Sequence, residues 1–477
     1  MSEQLPIEDL PIWARFNNVG LLDVKITESD GKGYGVVCQK KPSTHQDAID
    51  KPILLSVPRA LVLNHDAVRE YAKEDRGFKQ LLDAVGHRSA RTDILLFLLV
   101  QTALTSRPQH TSVGIINPWT NYLRFLPRNV PVPTLWNGDE RLLLRGTSLD
   151  VAVNAKMTAL VAEFDAIQST SSTIPCWNEL LWEHRTVSLR NWIQLDALYR
   201  SRCLELPRSG ESMVPCIDMI NHSANPTAYY DEDDQDEVIL LARPGVNLDE
   251  GQEMTISYGK SKSAAEMLFS YGFIDQASTI ESLVLPIDPF DDDPLAKAKR
   301  VGFGEAPRVY LERDDSGSII WKSPFAHLMC VNEEDGLEFR ILQDTYGGQQ
   351  LRIFWQDDDV TDRAKDFESI LEGHPLHALF RLRAVIVVQE CLQTQLEQAR
   401  SYENVSEPGD VRPECVAAAQ TLRTMEVRLL ESGIEALEKE RASLLEDETV
   451  VAYLGSMKTT EEGGDDQETD EDTEDFS

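Results

Sequence analysis

The spacing of hydrophobic residues changes several times along the chain. Residues 20–58 contain short apolar and β-branched runs, such as Ile53–Val57, separated by a glycine-rich turn, and this pattern predicts small antiparallel strands. Between about residues 58 and 201 the apolar positions recur at helical spacings instead. Residues 214–273 return to strands and turns, with a hairpin loop expected at the acidic run Asp231–Glu237. A helical block therefore interrupts two strand-rich blocks.

The last third of the chain has a different organisation. Residues 285–360 are mixed and weakly patterned, whereas 376–400 and 412–446 each predict a long helix. We interpret these two helices as an antiparallel hairpin in a C-terminal lobe, with a partner-binding coiled coil as the alternative. Beyond Tyr453 apolar residues are few and like charges are many, which predicts a disordered tail over 454–477.

The charge of the chain narrows the class of partner. The 477 residues carry 46 Lys and Arg against 81 Asp and Glu, a formal net charge of −35. A protein that binds DNA or RNA by itself places cations against phosphate, so direct nucleic-acid binding is not expected. Ten of the seventeen residues from Glu461 to Ser477 are acidic, and the rest of the chain is acidic without them. Such a chain favours cationic partners, including lysine-rich protein segments.

Cysteine usage and hydropathy indicate a soluble intracellular protein. The seven cysteines are scattered and none forms a CxxC or CxC pair, so neither a disulfide framework nor a zinc cluster is predicted. The N-terminus is acidic where a signal peptide would be basic. The longest apolar run, Ile94–Val100, has seven residues, whereas a membrane span needs about 20. We expect a monomer in the cytoplasm, the nucleus or both, without membrane association.

The first of three segments with candidate chemistry is Gly31–Val36, which reads GKGYGV and places alternating glycines before a strand. Such a segment can be a flexible hairpin turn, or it can let backbone N–H and C=O groups approach a flat ligand. It is not a P-loop, which requires GxxxxGK[ST]. It is not a dinucleotide-binding fingerprint either, because no βαβ unit follows.

The second segment is Asp218–Pro226, which reads DMINHSANP and puts Asn221 beside His222 after an apolar stretch. A lone histidine is more often a core residue with its hydrogen bonds satisfied. An adjacent Asn and His can instead offer amide and imidazole hydrogen bonds to a ligand.

The third segment is Gly251–Gly259, which reads GQEMTISYG and carries Tyr258 near its end. Tyr271-Gly272-Phe273 follows, with thirteen residues from the first tyrosine to the second. A tyrosine beside a glycine at a strand end is commonly structural. A pair of such tyrosines can also line a narrow aromatic pocket with hydroxyl groups at a reacting centre.

Taken in order, these segments resemble the motifs of the SET-domain protein methyltransferases. The pattern Asn-His-Ser-x-x-Pro, followed by Gly-x-Glu-x-Thr-Ile-x-Tyr-Gly, matches residues 221–226 and 251–259, and the opening glycine motif matches residues 31–35. The helical block between the first two motifs resembles the subgroup of the Rubisco large-subunit methyltransferase. Ser201-Arg202 resembles the pair that precedes the second motif in that subgroup.

The resemblance implies an α+β fold. A β-rich SET core (β-clip) would be split by a helical insertion and followed by a mainly helical C-terminal lobe. The implied divisions are a SET domain at 18–280 (core 18–60 and 200–280, insertion 61–199), a substrate-binding lobe at 281–453 and an acidic disordered tail at 454–477. The cysteine-rich zinc segment of histone-type SET enzymes is absent from the sequence, so no metal is expected.

The resemblance also implies a cofactor, S-adenosylmethionine, and the residues that would serve it. Arg202 would pair with the cofactor carboxylate, a contact that suits a guanidinium group. Tyr258 and Tyr271 would be catalytic, the first beside the transferring methyl group and the second in the channel for the target lysine. Asp218 would lie on the substrate side. The cofactor-binding set would be Lys32, Gly33, Tyr34, Arg202, Asn221, His222, Tyr258 and Phe273.

The implied reaction is S-adenosylmethionine-dependent methylation of a lysine in a basic, non-histone protein, such as a ribosomal protein or a translation factor. Lysine has a pKa of about 10.4, so presenting the neutral amine near pH 7.4 costs roughly 4 kcal/mol. An apolar channel and the nearby sulfonium charge both lower that cost. Two alternatives remain at this stage. They are a protein-histidine methyltransferase of the same fold and a SET-fold binding protein that has lost catalysis.

Overall fold

The chain divides into two compact units, each with its own hydrophobic core. The computed structural model describes residues 4–29, 31–40, 53–86, 89–106, 113–246, 248–343, 348–403 and 409–462, with side chains to residue 456. The first unit comprises Met1–Leu143, Leu149–Thr279 and Pro408–Ala418. The second comprises Leu144–Ser148, Ile280–Glu407 and Ala419–Ser477.

The first unit alternates strands with a helical block, as the hydrophobic pattern predicts. Its strands are β1 (Gly20–Leu21), β2 (Val24–Ser29), β3 (Gly33–Cys38), β4 (Ile53–Val57), β5 (Cys203–Leu206), β6 (Gly210–Met213), β7 (Asn221–His222), β8 (Ala228–Glu232), β9 (Val238–Ala242) and β10 (Glu253–Ile256). Its helices are α1 (Leu10–Phe16), α2 (His65–Glu74), α3 (Arg76–Val85), α4 (Ala90–Leu104), α5 (Pro118–Tyr122), α6 (Gly138–Leu142), α7 (Ser148–Ser171), α8 (Pro175–Trp177), α9 (Leu189–Arg202) and α10 (Ala264–Tyr271).

One sheet brings the three motif segments together. Among the described residues its strand order is β2-β3-β10-β7. The glycine segment forms the β2–β3 hairpin, and β10 pairs antiparallel with β3 through Glu253 opposite Val37. On its other edge β10 runs parallel to β7, with Thr255 opposite Asn221. Segments more than 180 residues apart in the chain therefore become neighbours in a single sheet.

The helical block supplies the core behind this sheet and positions an arginine at its end. Helix α4 is apolar on all sides and is buried along almost its whole length, as expected for a helix in the centre of a unit. Helix α9 begins at a capping box of Ser188 and Asn191, which satisfies backbone N–H groups at its N-terminus. It ends at Arg202, and Cys203 enters an extended conformation that begins β5.

A second sheet, β1-β4-β9-β8, carries the acidic run of the sequence. Asp231 and Glu232 end β8, and residues 233–237 form the predicted hairpin connection to β9. Part of its charge is neutralised locally, because Asp236 forms an ion pair with Arg59 and Glu232 accepts the backbone N–H of Arg208. This loop is therefore partly a structural element.

The second unit is less uniformly helical at its start than the sequence indicated. Residues 285–360, which had no clear pattern, contain the three-stranded sheets β11-β12-β13 and β14-β15-β16. The strands are β11 (Ser282–Pro286), β12 (Arg308–Arg313), β13 (Ile319–Lys322), β14 (Leu337–Gln343), β15 (Gln349–Trp355) and β16 (Asp358–Asp359). The helices are α11 (Ala296–Phe303), α12 (Pro324–Met329), α13 (Phe367–Leu371), α14 (His377–Ser401), α15 (Pro413–Leu445) and α16 (Glu448–Glu462).

The two long C-terminal helices confirm the helical reading of this region. The segments predicted at 376–400 and 412–446 correspond to α14 and α15, each within about one residue at both ends. The predicted disordered tail begins too early, however, because α16 continues through Glu462. The remainder of the acidic tail, residues 463–477, lies outside the described residues.

Candidate active site

Glu253 connects the three motif segments. Its Oε1 atom accepts hydrogen bonds from Asn221 Nδ2 at 2.7 Å and Ser29 Oγ at 3.1 Å, and its Oε2 atom lies 3.1 Å from Lys32 Nζ. Burial alone would raise the pKa of Glu253, but the hydrogen bonds from Asn221, Lys32 and Ser29 outweigh burial and leave the pKa below its usual value. The carboxylate therefore stays ionised and holds the glycine segment against the second motif.

The glycine at position 35 is required by a close approach. A Cβ atom there would lie 2.7 Å from Glu253 Oε1 and 3.0 Å from Asn221 Nδ2. Asn221 also donates to the backbone carbonyl of Tyr34 at 3.3 Å. At Gly33 the backbone φ is 78°, in the left-handed region that glycine adopts without strain. The segment Lys32–Tyr34 is thus fixed beside Asn221 by backbone geometry as well as by hydrogen bonds.

His222 has both ring nitrogens engaged. Its Nδ1 atom accepts the backbone N–H of Tyr258 at 3.1 Å, and its Nε2 atom lies 3.2 Å from Asp275 Oδ2. Because Nδ1 is an acceptor, the ring proton belongs on Nε2, which then donates to the carboxylate. His222 consequently holds the backbone of Tyr258 in position, and Asp275 fixes the orientation of the His222 ring.

An aromatic cluster surrounds Tyr258. Its ring centroid lies 4.5 Å from that of Tyr271 and 5.2 Å from the His222 ring. Phe273 completes the cluster, 6.0 Å from His222 and 6.4 Å from Tyr271. The Tyr258 hydroxyl donates to the backbone carbonyl of Ile220 at 2.7 Å, and the Tyr271 hydroxyl donates to the Tyr258 carbonyl at 3.3 Å. Two tyrosine hydroxyls and their carbonyl partners therefore lie within one small volume.

Both tyrosines are neutral at physiological pH. Burial raises the pKa of Tyr258 well above its ordinary value, and the nearby Arg202 guanidinium offsets only part of this effect. Burial also raises the pKa of Tyr271 to about 12. Neither hydroxyl is therefore an ionised base near neutrality, and each acts as a hydrogen-bonding group.

Asp218 is a buried carboxylic acid held by a tyrosine from the helical block. Its side chain is 0% exposed, and its Oδ1 atom accepts a hydrogen bond from the hydroxyl of Tyr122. The same hydroxyl oxygen accepts the backbone N–H of Cys216 at 2.8 Å, where the backbone φ is 69°. A positive φ is unusual for a residue with a Cβ atom, so Tyr122 supports a strained turn just before Asp218.

Arg202 lies against Asp218 and keeps one donor unused. Its Nη1 atom donates to the Asp218 carbonyl at 2.7 Å and lies 3.9 Å from Asp218 Oδ2. Within the described part of the chain, the buried Arg202 Nε and Asp218 Oδ2 atoms have no hydrogen-bond partner. Buried polar atoms are normally paired, so this pair is chemically suited to an anion at the guanidinium and a hydrogen-bond donor at the carboxyl group.

These groups line a cavity of about 390 Å³ in the first unit. Its walls include Arg202, Asp218, Ile220, Tyr258 and Tyr271. The volume lies in the range usual for small-molecule sites, roughly 300–1,000 Å³. The cavity thus joins a cation, a buried acid and two neutral tyrosines, which can orient a small ligand and a reacting side chain together.

The structure brings the predicted site residues into one region in two groups. Arg202, Asp218, Tyr258 and Tyr271 line the cavity itself. The other predicted residues adjoin it through the sheet and the aromatic cluster, by the contacts of Lys32, Tyr34, Asn221, His222 and Phe273. Gly33 lies between Lys32 and Tyr34 in this segment.

Sequence reasoning missed three residues that hold the site in place. Glu253 is the glutamate of the third motif, but the motif alone did not indicate a role for it. Asp275 follows the Tyr271-Gly272-Phe273 segment closely, and Tyr122 precedes Asp218 by 96 residues without a motif around it. Only the fold could show that the hydroxyl of Tyr122 reaches the second motif.

The described residues contain neither a candidate metal site nor a candidate membrane span. Among them, no group of three or more His, Cys, Asp or Glu side chains could hold a metal ion. No helix in this part of the chain is both long and apolar enough to cross a bilayer.

The β-rich core is split by a helical block, and its second and third motifs pair side by side next to an aromatic cluster. This arrangement defines the class of protein. The fold is that of the SET-domain methyltransferases, and the chain resembles the Rubisco large-subunit enzyme of this class. A crystal structure of the SET domain of LSMT, bound to methyl-lysine and AdoHcy, matches 93% of this chain and 94% of its own with a TM-score of 0.64 at 20% identity. A structure of Rubisco LSMT bound to AdoMet matches 97% of this chain and 98% of its own, also at 0.64, with 19% identity.

Sequence relatives agree with the fold. SET domain-containing protein 8 of Schizosaccharomyces pombe is 28% identical over 415 residues, which span 85% of this chain and 90% of that protein. The Rubisco large-subunit N-methyltransferase of Pisum sativum is 27% identical over 358 residues, 70% of this chain and 65% of the enzyme. The actin-histidine N-methyltransferase of Xenopus tropicalis is 22% identical over 377 residues, 73% of this chain and 59% of that enzyme. No protein-family model matches the chain.

Proposed function

We propose that the chain is an S-adenosylmethionine-dependent protein-lysine N-methyltransferase that acts on a non-histone protein. The observation that carries the proposal is the cavity in which Tyr258 and Tyr271, 4.5 Å apart by ring centroids, adjoin the unused donor of Arg202. Solved structures of similar fold bind AdoMet or AdoHcy. We extend that cofactor to this chain because the orphaned Arg202 Nε atom suits its carboxylate.

The cofactor, when bound, supplies an activated methyl group whose transfer leaves a neutral thioether. The chain's residues hold and orient the reactants. Lys32–Tyr34 would form one side of the site, held in place by the bond from Asn221 to the Tyr34 carbonyl, and His222 fixes the position of Tyr258. Tyr258 and Tyr271 place two aromatic rings around the acceptor, and burial between them disfavours an ammonium and so favours the neutral, nucleophilic amine. Positioning and desolvation, rather than a strong base, account for the catalysis we propose.

The choice of lysine over histidine as the acceptor is supported by the acids of the cavity. Asp218, Glu205 and Glu211 all line it, and carboxyl groups attract a cationic lysine side chain on entry. A lysine N-methyltransferase acting on fructose-bisphosphate aldolase, from Arabidopsis thaliana, is among the relatives, at 24% identity over 322 residues. The actin-histidine enzyme keeps the histidine alternative open to test.

The proposal is tested by cofactor binding and by methyl transfer. Isothermal titration calorimetry of the full chain with S-adenosylmethionine should show binding, and no detectable binding would refute both enzymatic candidates. Tritiated methyl transfer to fractionated lysate, with mass spectrometry of the labelled residue, should identify lysine. Label on histidine would favour the alternative, and cofactor binding without any transfer would favour a binding protein.

Tyr258→Phe tests the assignment of the catalytic tyrosine. We expect it to lose most turnover, because the hydroxyl that bonds the Ile220 carbonyl is removed at the reacting centre. Cofactor affinity should stay within several-fold, since the ring remains against His222. Tyr310→Phe, at an exposed position of β12, is the matched control and should be fully active. Full activity of Tyr258→Phe would show that the assignment is wrong.

A further inference from the structure

A pair of carboxylates lines the cavity that contains the two tyrosines. Strands β5 and β6 form a two-stranded antiparallel ribbon in which Glu205 lies directly opposite Glu211. Both residues are exposed, and both belong to the wall of the cavity that includes Tyr258. Like charges directly opposite one another destabilise a strand pair. The ribbon is therefore in an arrangement that a bound cation would stabilise.

Three of the basic residues that line the same cavity, Arg91, Lys156 and Arg200, are engaged by Asp196. Asp196 lies 2.9 Å from Lys156 and 2.8 Å from Arg200, and Arg91 also donates to it at 3.0 Å. Burial by itself would raise the pKa of Asp196, but these three cations lower it below the usual value. Within the described residues, neither glutamate of the ribbon forms an ion pair. Of the two other basic residues in the wall, Arg202 bonds the Asp218 carbonyl and Lys262 lies over the Tyr271 ring, so the carboxylate pair is left without a direct ion-pair partner in the described residues.

A buried hydroxyl beside the pair also lacks a partner. Tyr199 is 2% exposed and lines the cavity, and its hydroxyl makes no hydrogen bond of normal geometry within the described part of the chain. Burial raises the pKa of this hydroxyl, and the neighbouring Cys203 and Glu211 raise it further. A buried hydroxyl without a partner costs stability, and a donor from outside the chain would satisfy it.

The pair is also connected with the proposed lysine channel. The pKa of Tyr230 is raised by burial and by the charge of Glu205, and Tyr230 in turn contributes to the raised pKa of Tyr271. Tyr230 and Tyr271 both line the cavity. A residue bound by the glutamates would therefore lie close to, but distinct from, the side chain in the aromatic channel.

We propose that Glu205 and Glu211, together with the Tyr199 hydroxyl, bind a second basic side chain of the substrate that neighbours the acceptor lysine. Arginine suits the three acceptors better than lysine, because its planar guanidinium presents five N–H donors in a fixed fork. The substrate class is thus a protein segment with an arginine or lysine within a few residues of the methylated position. This inference rests on the proposed function and adds to it the sequence context of the target.

The test compares methylation of a lysate by the full chain and by glutamine variants. Glu205→Gln, Glu211→Gln and the double variant remove charge while keeping shape, and Asp234→Asn, at an exposed position of the acidic hairpin, is the matched control. Labelled sites are mapped by mass spectrometry after tritiated transfer. We expect wild-type sites to have a basic neighbour, and the double variant to raise KM for those sites about 3- to 10-fold with little change in kcat.

Thermal stability provides an independent readout. Removing one of two opposed carboxylates should leave the melting temperature of the cofactor-free variants unchanged or raised. Labelled sites without basic neighbours, or an unchanged KM in the double variant, would overturn the inference while leaving the proposed function intact. Absence of cofactor binding and of any transfer by the wild-type chain would overturn the proposed function, and this inference with it.

Discussion

Asp218→Asn gives a direct test of the electrostatics of the site. The carboxyl group is fully buried, and burial raises its pKa from 3.8 to about 6. The Arg202 guanidinium and the Tyr122 hydroxyl act in the opposite direction but do not cancel this effect. The folded protein consequently holds the Asp218 proton more tightly than the unfolded chain does.

The sign and size of the stability change follow from this pKa difference. The folded state gains from protonation of Asp218 at low pH, and this gain is lost as pH rises from about 3.8 to about 6. The loss amounts to about 3 kcal/mol and is constant above that window. An asparagine does not titrate, so the variant lacks this pH-dependent loss of stability. The unfolding free energy of Asp218→Asn, minus that of the wild type, should therefore rise by up to about 3 kcal/mol between pH 4 and pH 7.

Comparing pH profiles removes the constant effects of the substitution. The new amide would face Arg202, and any cost of that contact shifts the variant curve by the same amount at every pH above the window. Melting temperatures of the cofactor-free proteins, followed by circular dichroism from pH 4 to pH 8, give the required difference, with Asp234→Asn as an exposed control. Parallel profiles for Asp218→Asn and the wild type would refute the raised pKa and the reasoning from burial.

Other side chains give further expectations. Gly35→Ala should destabilise the first unit by about 1–3 kcal/mol and weaken calorimetric binding of S-adenosylmethionine, because its Cβ would lie 2.7 Å from a carboxylate oxygen. Asp293→Ala should lower the unfolding free energy of the second unit by about 3–5 kcal/mol in urea, because Lys299 is 1% exposed and would lose its counter-charge. The exposed Asp292→Ala is the control, and an equally unaltered urea midpoint in both variants would contradict this expectation. Burial raises the pKa of Glu426 to about 7, so Glu426→Gln should remove a loss of stability that the wild type shows between about pH 4.5 and pH 7; unchanged pH dependence of melting would count against it.

The parts of the fold that the sequence predicted are those with local signals. The long helices α14 and α15 have sustained periodicity, and the glycine segment leads into a strand as expected, although that strand, β3, already begins at Gly33. The motif order also indicated that distant segments meet. The pairing that makes them meet, β10 between β3 and β7, depends on non-local hydrogen bonds that no short window contains.

The parts that could not be predicted depend on tertiary contacts. Residues 285–360 form short, half-buried strands whose pairing across two small sheets leaves little periodicity in any one window. Tyr122 acquires its role only because α5 places it against Cys216 and Asp218. Arg202 was visible as a motif position, but its orphaned Nε atom is a property of the packed cavity.

Charge illustrates the same distinction between composition and geometry. The acidic run Asp231–Glu237 is conspicuous in the sequence, because six of its seven residues are acids. In the structure Asp236 has an arginine partner, so that part of the charge is screened and stabilises the hairpin. Glu205 and Glu211 are inconspicuous in the sequence, yet the turn between β5 and β6 sets them opposite each other on the cavity wall. Since charges in about 0.15 M salt are screened beyond roughly 8 Å, two carboxylates at the cavity have more influence on which residue enters than the net charge of −35. Under the proposed function, substrate choice near the reacting centre would therefore depend on the acids of the cavity wall, whereas the net charge would act mainly on the rate of encounter.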